Sequence, residues 1–201
     1  MALLFAKNNS LSAVTALPAS ISGGGLNLIS SQTASSSSTI DFTSGIDSTY
    51  KEYIFKFYNI HPATNAVNFQ FNMSTDSGSN YNVTKTTTSF WSYHKEDDST
   101  TSLDYWSGGD LAQGTGVQPL SYQTANDDDA NISGTLHLFD PSNTTFVKHF
   151  ICRNLNYWDQ NAPFDQNFAG YGNTTSAINA IQFSFSSGNI DAGTIKLYGV
   201  S

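Results

Sequence analysis

From residue 26 onward, apolar and polar positions alternate with a period of two, the spacing at which a β-strand presents one face to a core. Val67, Phe69, Phe71 and Met73 are separated by Asn68, Gln70 and Asn72, and Ile181, Phe183 and Phe185 by Gln182 and Ser184. Tyr53–Ile60 reads as a strand with Tyr53, Phe55 and Phe57 on one face and Ile54, Tyr58 and Ile60 on the other. Shorter or more polar runs are predicted at Leu26–Leu28, Ile40–Phe42, Val83–Tyr93, Ile132–Phe139, Thr145–Cys152, Phe168–Gly172 and Thr194–Val200. Between them lie turn-forming clusters such as Asp76-Ser77-Gly78-Ser79-Asn80 and Asp140-Pro141-Ser142-Asn143. About eight to ten short strands at this spacing predict an all-β fold, an antiparallel two-sheet β-sandwich of jelly-roll type.

Two segments depart from the alternation. Residues 1–25 carry one charge, Lys7, and end in Gly23-Gly24-Gly25. They read as an extended N-terminal arm joined to a folded domain at 26–201, with Leu3, Leu4, Phe5, Leu11, Val14 and Leu17 as its docking contacts. The stretch at about 95–131 holds seven of the fourteen Asp residues and reads as a long acidic insertion between strands.

Composition narrows the function classes. A chain of 201 residues fits one domain with a core of its own. Its net charge is −8 and its only arginine is Arg153. Clustered Arg and Lys carry phosphate and base-edge recognition, so a nucleic-acid partner is not expected. Glu occurs only at Glu52 and Glu96, which is at odds with a helical bundle. No run approaches the ~20 apolar residues of a membrane-spanning helix, and the opening MALLFAKNNS is too short for a signal-peptide core. Synthesis in the cytosol, without membrane insertion, is the expectation. Cys152 is the single cysteine, flanked by Ile151 and Phe150, and reads as a buried structural thiol.

Candidate chemistry is sparse. His61, His94, His137 and His149 form no metal-binding spacing, and no nucleophile elbow or phosphate-cradling loop occurs. An enzyme is not expected, nor is a cofactor. Asn126-Asp127-Asp128-Asp129-Ala130-Asn131 is the one oxygen-rich run, making Asp127, Asp128 and Asp129 the candidate Ca²⁺ ligands, although the order of an EF-hand loop is missing. The aromatic–polar clusters around Trp91, around Tyr105-Trp106 and around Tyr157-Trp158 combine flat apolar faces with Asp, Asn and His. Sugar rings need that pairing, so these five side chains are the candidate ligand contacts. Trp106, followed by Ser107-Gly108-Gly109, is expected to be the most exposed, while Trp91 and Trp158 have core filling or a subunit interface as the competing role.

The stretches AKNNSLSAV (6–14), LISSQTASSSSTIDFTSGIDSTYKEYIFKFYNIHPAT (28–64), FDPSNTTFVKHF (139–150) and GYGNTTSAINAIQFSFSSGNIDAGTIKLYGV (170–200) resemble virion proteins and fibre-terminal modules of marine tailed phages, cyanophage-like in type. The resemblance implies a non-enzymatic structural protein at the virion surface, made in the host cytoplasm. Its expected form is a tail-fibre or receptor-binding adhesin that recognises a host surface glycan or protein. The arm would join it to other virion proteins, and a homotrimer is expected from the fibre-like role. A capsid head decoration or cement protein is the alternative, and a glycan-degrading enzyme a more remote one. The resemblance brings no catalytic residues. It is weakest at 95–131 and 153–168.

Overall fold

The computed structural model describes residues 25–201, and they are all-β. The proposed arm contacts Leu3, Leu4, Phe5, Leu11, Val14 and Leu17 lie outside the described residues. Twelve strands form two antiparallel sheets: β1 (Leu26–Thr33), β2 (Ile40–Phe42), β3 (Glu52–Pro62), β4 (Phe69–Ser74), β5 (Lys85–His94), β6 (Thr101–Tyr105), β7 (Gln118–Pro119), β8 (Ile132–Phe139), β9 (Lys148–Trp158), β10 (Ala162–Gly172), β11 (Ala180–Phe185) and β12 (Ile190–Val200). The larger sheet runs β1-β12-β3-β8-β9-β10-β5-β6 and the smaller β2-β11-β4-β7.

This order is a jelly roll with two hairpins added. With β5–β6 and β9–β10 set aside, the remaining eight strands pair as β1-β12-β3-β8 facing β2-β11-β4-β7. Apart from β4 and β7, which pair with each other in the smaller sheet, successive strands thus alternate between sheets, the double Greek key of a jelly roll. The hairpin β5–β6 is inserted between β4 and β7, and β9–β10 between β8 and β11. Both extend the larger sheet past the edge of the smaller one.

The alternating aromatics explain why the sheets pack. Phe183 on β11 meets Phe55 and Phe57 of the opposite sheet at 5.4 and 5.2 Å between ring centroids, and stacks on Phe69 of its own sheet at 5.7 Å. Phe71 meets Phe150 at 5.0 Å, edge to face. All these rings are essentially inaccessible, and edge-on pairs of this kind add roughly 0.5–1.5 kcal/mol each beyond area burial.

The stretch 95–131 is not one loop. It contains β6, paired with β5, and β7, which closes the smaller sheet. The chain from Trp106 to Ala125 then serves as a cover. Backbone bonds tie Leu111 to Thr87 and Gly114 to Lys85 along the open edge of β5. Beyond β7, Leu120, Tyr122 and Thr124 lie over the inner face of β9 and β10 and accept the amides of Asn154 and Asn156. The extended sheet is therefore buried by polar–polar contact as well as by apolar packing. Cys152 is buried there too, and burial pushes its thiol up to about 12, as expected for a structural thiol.

Candidate functional site

The five predicted contact residues separate into two groups. The three tryptophans turn inward and join one aromatic cluster between the larger sheet and its cover. Trp91 on β5 packs against Trp106 and Tyr122, both at 5.1 Å, and against Phe164 at 5.0 Å. Trp158, at the end of β9, meets Tyr93 and Phe164, each at 5.0 Å, and only 9% of it is accessible. Trp106 was expected to be exposed, yet it is half-buried. Its indole lies under the backbone of Gly108 and Gly109, where an added Cβ would collide with the ring. The glycines after Trp106 therefore reflect close packing rather than a mobile tip. In-phase spacing on β5 and β9 dictates this outcome: Trp91 continues the inward series Lys85, Thr87, Ser89, and Trp158 continues Cys152, Asn154, Asn156.

Tyr105 and Tyr157 stay on the outer side, but not together. Tyr105 is exposed on edge strand β6 and donates to Asp110 Oδ2 at 2.5 Å. Tyr157 stands on β9 opposite Pro163 of β10, at the end of the sheet where three turns converge. The β9–β10 turn, Asp159-Gln160-Asn161, closes with Asn161 in the left-handed region (φ 56°), a conformation that asparagine tolerates. The β5–β6 turn supplies Glu96, whose backbone N–H donates to the Asn161 carbonyl at 3.0 Å and locks the two inserted hairpins side by side. The acidic turn before β8 supplies Asp129 and Asn131, and the Asn131 carbonyl accepts the Tyr157 N–H at 3.1 Å.

Between these turns lies a groove in two joined parts that share Asp129 and Asn131. One part, of about 280 Å³, is walled by Leu155, Tyr157 and Pro163 against Glu96, Asp129, Asn131 and Ser133. The other, of about 480 Å³, continues past Asp128 to Asn59, His61 and Asp191. The acidic turn is pinned at several points. His61 Nε2 lies 3.1 Å from the Asp127 carbonyl, Asn65 Oδ1 accepts the Asn126 N–H at 3.2 Å, and the Asp127 carbonyl accepts the Ala130 N–H at 2.8 Å. Partial burial, then the charges of Glu96, Asp129 and Asp127, hold the Tyr157 hydroxyl above its ordinary value. It remains a neutral donor facing acceptors at any physiological pH.

Asp127, Asp128 and Asp129 do not assemble the suggested Ca²⁺ cage. Among the described residues, no group of three His, Cys, Asp or Glu side chains comes together as a ligand set. All three aspartates lie exposed along one short turn, whereas Ca²⁺ takes six to eight oxygens converging on one point.

Of the groove members, the sequence singles out Tyr157 in its aromatic cluster and Asp129 and Asn131 in the acidic run, but gives no sign of Ser133 or Pro163, nor of Glu96 beyond its being one of two glutamates. These residues come from separate stretches of the chain that strand pairing brings together. No family model, curated protein or solved structure matches the chain, so the likeness to phage virion proteins rests on its sequence stretches alone.

Proposed function

We propose that the protein is a non-enzymatic receptor-binding component of a phage particle whose Tyr157 groove takes a host surface glycan. The observation that carries this reading is the groove itself. An apolar wall of Tyr157, Pro163 and Leu155 faces carboxylate, amide and hydroxyl groups from Glu96, Asp129, Asn131 and Ser133. A sugar ring presents C–H faces that stack on such a wall and hydroxyls that donate to such acceptors. The jelly roll supports the reading by analogy only, since both capsid and lectin domains use it. The excess of acceptors favours a neutral or amino-bearing glycan over an acidic one.

The test is a glycan array with the full chain, followed by titration of the best ligand against variants. Tyr157→Ala is expected to weaken binding by about tenfold or more, the scale of one lost stacking contact with its hydrogen bond. Tyr105→Ala, exposed on β6 and outside the groove, is expected to leave it unchanged. Absence of glycan binding, or equal loss in both variants, overturns the site. Cleavage of the bound glycan would replace the reading with the hydrolase one. Placing the protein at capsid three-fold positions rather than on the tail would replace it with the decoration one.

A further inference from the structure

The free face of the eight-stranded sheet is the least explained surface of the molecule. Of the ten large apolar side chains exposed among the described residues, all but Val117 and Phe146 lie on it. Two of them, Leu28 and Ile151, lie on one line that register runs across seven strands through Leu28, Tyr198, Ile54, His137, Ile151, Ala169 and Thr88. Where that line crosses β9 and β10, the small Ala169 leaves an apolar groove of about 480 Å³, bordered by Phe139, His149, Ile151 and Tyr171. Contiguous apolar surface of this extent marks an interface rather than ordinary exposure.

We propose that this face is covered by the same face of a second copy of the chain, in a twofold, isologous pair. Three observations select that occupant. The first is charge. The chain carries −8 overall, yet the charged side chains on this face are Lys56, Lys196 and Arg153 against Glu52 and Asp165. Most of these are already engaged: Arg153 pairs with Asp165 at 2.8 Å, Glu52 meets His137 at 2.6 Å, and the two lysines lie over Tyr198 and Tyr58. Two copies of an acidic chain repel one another least where the surface is balanced. The second is apolar complementarity. With nearly every exposed apolar side chain on one face, only the same face of another copy offers apolar surface in return. The third is size. Eight strands at ~4.8 Å spacing, with about nine residues each at ~3.4 Å, present roughly 1,100 Å² in all, so about three quarters of the face supplies the ~800 Å² per partner of a standard interface.

The pairing does not depend on the receptor reading. Leu155, Tyr157 and Pro163 stand on the same face, at the far end of β9 and β10, so a pair centred on the apolar groove stops short of that end to leave the site open. On β10, Pro163 lies about 20 Å from Ala169 and about 27 Å from Tyr171 along the strand. A twofold pair also differs from the threefold assembly that a fibre role implies.

Sedimentation and light scattering on the full chain test the proposal. The wild type is expected to form a dimer at micromolar concentration. Ile151→Lys and Thr88→Lys each replace a solvent-facing side chain in the apolar line, so the fold should survive, as circular dichroism would verify. Each is expected to weaken dimerisation by about 100-fold, since a charge enters the centre of the buried patch from both copies. Phe146→Lys, exposed but on a loop, is expected to dimerise as the wild type does. A monomeric or trimeric wild type overturns the proposal. So does a lysine variant in the line that folds and still dimerises, or a Phe146→Lys that does not.

Discussion

Lys85 and Lys148 flank the same residue, Gly172, from the neighbouring strands β5 and β9, and both are fully buried. Each ammonium is held by uncharged oxygens. Lys85 donates to Asn72 Oδ1 at 2.5 Å and to the Val83 carbonyl at 2.8 Å, and Lys148 to the Phe146 and Thr174 carbonyls at 2.7 and 3.2 Å. These bonds fasten loop backbone to the inner sheet. Burial lowers both lysines below their ordinary value, Lys85 to about 8. The unfolded chain therefore binds a proton more readily than the folded one between that value and the ordinary 10.5. Stability through Lys85 rises as pH climbs across this window and is constant below it. Cys152 has the opposite sign. Its folded value is raised, so its contribution is complete below 9 and is lost as pH rises from there towards 12. Urea unfolding is thus expected to show stability increasing between about pH 8 and 9 by up to ~1 kcal/mol and levelling above that. Lys85→Met should flatten the rise. An unchanged slope in that variant would assign the effect to other groups.

At the scale of elements, the cover segment from Trp106 to Ala125 decides whether the extended sheet has an inside. Gly109→Ala drives a methyl group into the Trp106 indole, which in turn packs on Trp91, Tyr122 and Phe168. A loss of roughly 1–3 kcal/mol, with altered tryptophan fluorescence, is expected from overpacking. Gly116→Ala in the same segment meets nothing within 4 Å and should stay within about 0.5 kcal/mol of wild type. Equal effects from the two would mean that the segment is not a packed lid. The same segment shows where alternation stops being readable. The run ending at Cys152 continues as strand to Trp158, but its next inward residues are Asn154 and Asn156, facing Gln166 on β10. These amides satisfy the cover's carbonyls, so a buried face presents polar residues and loses its apolar signature. Strands β6 and β7 were missed for a related reason. One is a short, exposed edge, and the other is two residues long and buries a polar glutamine, Gln118, so neither shows an apolar alternation. By contrast, Ile132–Phe139 and the Phe69–Met73 alternation face the aromatic core and were read directly.

For the molecule as a whole, alternation made a two-sheet sandwich visible, whereas strand order determines which residues meet. Tyr157, Glu96 and Asn131 converge only because two hairpins are inserted on one side of the jelly roll. Strand order also partitions charge. The acidic turn and Glu96 gather at one end, and the free face is left nearly balanced. This partition makes a prediction about salt. Were association driven by ion pairs across the interface, raising ionic strength would weaken it. For two bodies of net charge −8 meeting through a balanced apolar face, screening instead removes repulsion between their remaining surfaces. Between about 0.01 M and 0.15 M salt the Debye length shrinks from ~30 Å to ~8 Å, shorter than the sheet is wide. Dimerisation measured by sedimentation over that range is expected to tighten several-fold. The Arg153–Asp165 pair already lies within one copy, so its screening should not reverse the trend. Weakening with salt would place the contact on the charged surfaces and away from the free face of the sheet.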